Sequence, residues 1–290
     1  MNGILIINKP KGFTSHDIVN VLRKELHTKK IGHTGTLDPN ATGVLPVLVG
    51  DATKISKYLT QHNKEYEVEM KLGIETTTLD EEGDIVKQEE VKDIDEEKIK
   101  EVLNSFKGKQ MQTPPKYSSI KINGKKAYEY ARAGQDVVIP TRKIEIYNIS
   151  FLDYKEDLIK FKVKCSKGTY IRVLCQDIAR KLDTVAFMKN LKRTEVDLFK
   201  IEKSITIDDI KNKKVDIEEH LISIEDAFVN LSQINIDEKR IKHFLNGVKL
   251  TYNLGDGIYR IYFNNQFIGL GIVNNNFLKR DVVLQMCEQK

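Results

Sequence analysis

The chain has 290 residues, 40% hydrophobic and 8% aromatic, which suits a globular protein with one large core or a large core and a small one. No apolar run approaches the roughly 18 residues of a membrane-spanning helix, which excludes a helical membrane protein. The net charge of +5 is modest, so its spread along the chain carries more information than its size.

Met1 leads straight into a buried strand over residues 4–8 with no basic leader, so the cytoplasm is the expected compartment. After the turn Lys9-Pro10-Lys11-Gly12, Thr14 or Ser15 caps a helix that runs to about Leu26. Gly32-His33-Thr34-Gly35-Thr36-Leu37-Asp38-Pro39, continuing through Gly43 to Pro46, is too rich in Gly, Pro and Thr for a helix interior and alternates too little for a strand. Its glycines allow positive φ or close backbone approach to a ligand, and the apolar residues 44–49 anchor it in a core. Asp38 sits in its middle, backed by Pro39; a lone Asp-Pro most often caps a turn. Asp51 reads as the N-cap of a short helix over 52–59, and residues 66–72 alternate as a half-buried strand. Residues 75–95 read as an acidic, exposed hairpin or loop, and 94–106 as an amphipathic helix with Ile99, Leu103 and Phe106 on one side.

Residues 110–132 hold Pro114-Pro115, a turn at Asn123-Gly124 and a short basic helix near 127–132. There Lys116, Lys121, Lys125 and Lys126 interleave with Tyr117, Tyr128 and Tyr130, which fits gripping and stacking on nucleic acid, and equally amphipathic packing. Strands are predicted at 143–153, 158–165 and 194–199, with a helix over about 170–182 and Asn190-Leu191-Lys192-Arg193-Thr194 between helix and last strand. Residues 207–226 read as polar and helix-like and close the first domain. A helix at 236–247 and strands at 257–263, 266–273 and 277–283, with Asn-rich turns, make a small β-rich module.

Charge follows this division. Residues 105–143 carry 9 basic against 2 acidic side chains, and 160–203 carry 12 against 5, whereas 65–104 carry 5 against 15. A protein with one face for a polyanion shows this pattern, and so does a Lys-rich protein with ordinary solvated charge. Cys165, Cys175 and Cys287 form no C-x-x-C, and the six histidines show no paired ligand spacing, so reduced thiols and no metal are expected.

Four blocks in order carry a resemblance: Asn8-Lys9-Pro10-Lys11-Gly12-Phe13-Thr14-Ser15-His16; the Gly32 to Pro46 loop; the Gln110 to Arg132 stretch with its Pro-Pro and Asn-Gly-Lys-Lys-Ala-Tyr; and Cys165-Ser166-Lys167-Gly168-Thr169-Tyr170-Ile171-Arg172. On these, over nearly its full length, the chain resembles the bacterial TruB-type tRNA pseudouridine synthases. Two small departures are Thr76-Thr77-Thr78, where the family usually carries an Asp, and Ser119, where Ala is commoner.

The resemblance implies an α+β fold: a mixed, mostly antiparallel sheet flanked by helices, plus a small C-terminal β-rich PUA-like domain. It implies a catalytic domain over 1–230, with an RNA-gripping insertion at about 108–142, and a PUA-like RNA-binding domain over 231–290. The implied activity is isomerisation of a uridine in the T-loop of tRNA, position 55, to pseudouridine, without a cofactor. The implied partner is the T-arm and elbow of tRNA; a monomer is expected separately, because no helix shows an obvious apolar patch. Asp38 would be the nucleophile, Arg172 its partner, and Tyr66 the contact to the flipped base with a role in proton transfer. Tyr170 would support them and Leu191 would line the pocket. Lys9, Lys116, Lys121, Lys125 and Lys126 would face RNA, as would His33, whose role stays open between base stacking, phosphate contact and loop packing.

The chemistry agrees with those residue types. Breaking a glycosidic bond builds positive charge on the sugar or needs a nucleophile, and a carboxylate serves either way. In a water-excluding site that carboxylate needs a guanidinium to remain the anion. Extruding a base costs a few kcal/mol, which aromatic and apolar contacts offset. A ring adduct, a glycosyl-enzyme and a glycal all remain open as the bond-breaking path. Two other readings stand beside this one: a non-catalytic RNA-binding or tRNA-folding protein, and an RNA-guided ribosomal RNA pseudouridine synthase.

Overall fold

The structure, a computed structural model, describes residues 1–92 and 94–284. β1 (Gly3–Lys9) leads through α1 (Ser15–Glu25) to β2 (Ile31–His33) and β3 (Thr42–Val49). Thr14 caps α1 in a reciprocal box with Asp17. A 3-10 turn (Gly50–Ile55) and α2 (Ser56–Leu59) precede β4 (Lys64–Leu72) and a small hairpin of β5 (Ile74–Thr76) and β6 (Ile85–Gln88). α3 (Glu96–Asn104), capped by Asp95, leads to β7 (Gly108–Gln112). An excursion of β8 (Lys121–Ile122), β9 (Lys125–Lys126) and α4 (Ala127–Arg132) ends at β10 (Arg142–Lys155). β11 (Leu158–Cys165), α5 (Ile171–Lys181), β12 (Ala186–Val196) and β13 (Phe199–Lys200) complete the first part.

Among the described residues the main sheet has nine strands on the path β1-β3-β12-β4-β11-β10-β7, with β2 on the edge of β3 and β13 on that of β12. Its pairings are antiparallel except where Lys192 and Arg193 of β12 lie beside Thr42 and Gly43 of β3. The expected mixed, mostly antiparallel α+β sheet is therefore what forms. Alternation divides its two faces. On β4, Tyr66, Val68, Met70 and Leu72 point to a core that Ile99, Leu103 and Phe106 from the α3 region and Leu174 and Ile178 of α5 close. Each such burial is worth about 1.5–3 kcal/mol. On the other face, Glu65, Glu67 and Glu69 stand opposite Lys164, Lys162 and Lys160 of β11. These exposed pairs are worth about 0–1 kcal/mol each, so they enforce which face is outside more than they hold the sheet.

β1 and β3 do not alternate, because both their faces are covered. Leu5, Ile7, Leu45 and Val47 pack on α1 and on α6 (Ile207–Lys211). Ile4, Ile6, Val44 and Leu48 share a cluster with Phe199, Phe228, Leu270 and Val282. The last two belong to a second, five-stranded sheet in the order β14-β16-β17-β18-β15, comprising β14 (Gln233–Asn235), β15 (Leu250–Thr251), β16 (Gly257–Phe263), β17 (Gln266–Asn274) and β18 (Phe277–Val283). With α7 (Glu238–Leu245) it encloses its own cluster around Ile241, Phe244 and Ile261. Asn264-Asn265 and Asn275-Asn276 turn its hairpins with positive φ, as two-residue hairpin turns demand. Asp281 of this sheet also bonds Lys57 and Tyr58 of α2.

Three local expectations are corrected. The 3-10 turn has no side-chain cap; Asp51 instead lies 3.2 Å from Lys54 and 3.8 Å from Lys30. Residues 190–194 lie inside β12, not between a helix and a strand. Residues 207–226 hold the five-residue α6 and short 3-10 turns, because too few apolar side chains recur at helical spacing there. Cys165 and Cys175 are free and buried, and burial pushes both thiols upward; Cys287 lies outside the described residues. No helix among the described residues is long and apolar enough to cross a membrane.

Candidate active site

The loop between β2 and β3 is fixed from behind. Ser15 at the start of α1 accepts the Leu37 N–H at 2.9 Å, and Leu37 and Ala41 are buried. The Pro39 carbonyl accepts the Gly12 N–H and the Lys9 ammonium, both at 2.9 Å. Gly43 ends the loop with φ 100°, and a Cβ there would stand 2.2 Å from the Arg193 carbonyl. Only glycine lets β3 and β12 meet at that point. With its backbone held, the loop turns Asp38 toward a cavity.

Arg172, on the first turn of α5, meets it there. Gln112 of β7 exchanges two hydrogen bonds with the Tyr170 backbone, at 2.8 and 3.1 Å, and so fixes where α5 begins. Arg172 Nε lies 3.2 Å from Asp38 Oδ2, and Nη1 lies 3.1 Å from Asp80 Oδ2. The same guanidinium donates to the carbonyls of Thr78 at 3.0 Å and Tyr117 at 3.1 Å. Its side chain is 8% exposed, against 40% for Asp38. A buried guanidinium is costly unless its donors are used, and four acceptors from three segments take four of its five N–H groups here. Asp80 was not singled out from sequence. It sits in the run Asp80-Glu81-Glu82, which reads as a solvated turn, and no single-sequence signal separates it from its neighbours.

The cavity is about 390 Å³ and is lined by Asp38, Lys64, Tyr66, Tyr117, Tyr170, Arg172 and Arg193, among others. A narrower slot of about 110 Å³ adjoins it, walled by Leu37, Tyr66, Met188 and Leu191. Tyr66 is buried, which pushes its phenol up to about 12; the Arg193 guanidinium, on the facing residue of β12, opposes that shift. Burial likewise raises Tyr170 above the ordinary phenol, against the pull of Arg142 and Arg172. Lys64 is pushed down to about 8, chiefly by burial. His33 is lowered by burial and by the nearby charge of Arg193, and its Nδ1 accepts from the Gly35 N–H at 3.4 Å.

The structure thus brings Asp38, Tyr66, Tyr170, Arg172 and Leu191 together, with His33 at the base of the loop. Lys9 is a correction. It is fully buried and donates to the carbonyls of Pro10, Phe13 and Pro39, so it braces the Asp38 loop and cannot reach a phosphate. Lys116, Lys121 and Lys125 are exposed on the excursion, and Lys126 lies over the Tyr128 ring. Arg193 is the other residue that sequence reasoning missed. A carboxylate, a guanidinium facing it, a phenol and an apolar slot suit attack on, and recapture of, a flat polar ring.

The family model of the TruB pseudouridylate synthase N-terminal domain matches residues 23–171, and that of the tRNA pseudouridylate synthase B C-terminal domain matches residues 172–234. Proteins called tRNA pseudouridine synthase B are 45% identical in Clostridium tetani, over 93% of this chain and 95% of theirs, and 42% in Caldanaerobacter subterraneus, over 96% and 98%. Among solved structures, a Cbf5-Nop10-Gar1 complex is similar with TM-score 0.72 and 26% identity, covering 98% of this chain and 84% of that one. By these matches, across the very segments that build the Asp38 site, the chain belongs to the TruB family of pseudouridylate synthases.

Proposed function

We propose that the protein isomerises uridine 55 in the T-loop of tRNA to pseudouridine, with Asp38 as nucleophile. The observation that carries this reading is the Asp38 carboxylate at the mouth of the cavity, 3.2 Å from Arg172. In the reaction the C1′–N1 bond breaks, a C1′–C5 bond forms, C5 loses a proton and N1 gains one, so nothing is consumed. Tyr66 and Leu191 contact the extruded uracil, and the slot they share is on the scale of one pyrimidine ring. Tyr170 supports the Arg172 end of α5, and His33 stands where the loop meets RNA. Lys116, Lys121, Lys125 and Lys126 of the 108–142 insertion grip phosphates of the T-arm. Residues 1–230 form the catalytic domain and 231–290 a PUA-like module that extends the RNA surface. The enzyme acts as a monomer in the cytoplasm, where tRNA is found.

The test is pseudouridine formation in a T-arm hairpin by wild type and Asp38→Asn, with binding measured in parallel. Turnover by wild type, and an inert variant that still binds, is the expected result. Binding without turnover by either protein would leave a tRNA-folding role. The likeness to the Cbf5 complex favours a second reading, an RNA-guided synthase. Activity on the bare hairpin, with no guide RNA or partner protein, separates the two.

A further inference from the structure

Arg193 has the largest fully buried side chain of the described residues and is 1% exposed, yet no carboxylate among them pairs with it. A buried guanidinium left without a counter-charge is expensive, so the groups it touches matter. Nε donates to the Val44 carbonyl at 2.7 Å and Nη2 to the Gly35 carbonyl at 3.1 Å. Those two acceptors lie in a fork of the main sheet. β3 pairs with β12 only at Thr42 and Gly43, and with β2 from Val47 onward. The guanidinium fills the gap between them and staples the start of the Asp38 loop. Arg193 is also the direct cross-strand partner of Tyr66, and both side chains line the same cavity.

We propose, on the reading of the protein as a uridine isomerase, that Arg193 is the positioning residue for Tyr66. Anchored on the Val44 and Gly35 carbonyls beside its strand partner Tyr66, the guanidinium holds the phenol in place, and its charge carries the phenolate that exists between two proton transfers. The phenol gives its proton to N1 as the C1′–N1 bond breaks. Once the C1′–C5 bond has formed, the phenolate takes the surplus proton from C5. Tyr66 ends as it began, and the isomerisation stays proton-neutral. Arg193 on β12, Cys165 on β11 and Asp38 on the loop act on Tyr66, and Lys64 and Arg172 line the same cavity. Among these cations Arg193 is the direct strand partner of Tyr66, so its charge stabilises a phenolate in place of water.

The test compares Arg193→Gln, Arg193→Lys, Tyr66→Phe and the double variant Tyr66→Phe with Arg193→Gln. Single-turnover rates and hairpin affinities are measured, together with the tyrosine Cζ resonances of the free enzyme, that of Tyr66 being assigned by its loss in Tyr66→Phe. Arg193→Gln is expected to slow the chemistry by about 100-fold with affinity within about threefold. It should add less than about threefold in the Tyr66→Phe background. Arg193→Lys should recover at least about tenfold, and the Tyr66 resonance should move in Arg193→Gln. If Arg193→Gln does not fold, Arg193→Lys takes its place, with a loss of about tenfold expected only when Tyr66 is present. An equal loss in both backgrounds, or an unmoved resonance in an active enzyme, overturns the proposal and leaves Arg193 as a loop support. Wild-type inactivity on the hairpin overturns the isomerase reading, and this proposal with it.

Discussion

Asp38 and Asp80 are held by one guanidinium, Arg172, at 3.2 Å through Nε and 3.1 Å through Nη1. Asp80 is in turn fixed by the Thr78 hydroxyl and by the Glu82 N–H at 3.1 Å. The β5–β6 hairpin therefore sets the orientation in which Arg172 presents Nε to Asp38. Asp80→Asn keeps the acceptor for Thr78 and Glu82 but removes the charge on Nη1. Single-turnover rate should fall about 10- to 100-fold with hairpin affinity unchanged. Arg172→Lys should lose more, because one ammonium cannot span both carboxylates and two carbonyls.

Lys9 makes stability pH-dependent in a defined direction. Burial pulls its ammonium down to about 8, against the ordinary 10.5 that it regains on unfolding. Between those values the unfolded chain binds more protons, so this residue's contribution to stability rises as pH goes from about 8 to 10.5. The rise is on the order of 3 kcal/mol. Lys64 shifts in the same sense, so the Lys9 part must be isolated by difference. In urea unfolding at pH 7.5 and 10, Lys9→Met should lose that rise relative to wild type. It should also be less stable at the lower pH, with three carbonyls left without their donor.

Gly43→Ala places a Cβ at 2.2 Å from the Arg193 carbonyl on a backbone of φ 100°. Neither group is a side-chain end that can swing away, so β3 and β12 must part. We expect a loss of more than about 3 kcal/mol in thermal or urea unfolding. Whatever enzyme remains folded should be slow and not weak-binding.

Lys121 and Lys125 are exposed on the excursion before β10 and have no carboxylate partner among the described residues. Lys121→Gln with Lys125→Gln should weaken hairpin binding and flatten the slope of log affinity against log salt by up to about 2. The rate at saturating RNA should not change.

Asp38, Tyr66 and Arg172 could be singled out only through the resemblance. By composition alone Asp38 reads as a turn cap, Tyr66 as a core or edge aromatic and Arg172 as half of an ordinary ion pair. Arg193 was not legible, and the structure shows why. β12 carries register shifts between Met188 and Asn190 and between Arg193 and Glu195, so the alternation that marks inward positions is broken on both sides of it. Lys9 sits two residues before the exposed Lys11 and looks like it in sequence. Its burial comes from the chain crossing at Pro39, 30 residues away. Asp80 is hidden among other acids, since a hairpin turn and a hairpin clasp use the same residue types. Most strands and helices followed their periodicity; the exceptions are 52–59, much of which is a 3-10 turn, β12, which begins eight residues before the expected 194, and 207–226, where polarity without an apolar stripe made turns.

The fork filled by Arg193 bears on how the site comes into being. Asp38 is encoded near the start of the chain, but the staple that closes its loop lies 149 residues beyond Val44 and 158 beyond Gly35. Contacts so distant in sequence form late, because loop-closure entropy must be met before they reward the chain. During synthesis, Asp38 and the Ser15, Gly12 and Lys9 supports behind its loop leave the ribosome long before Arg193 can close it from the other side, and β12 must pair beside Gly43 first. A nascent chain therefore has no working site until most of it has been made, so activity doubles as a report that the long-range strand pairing is complete.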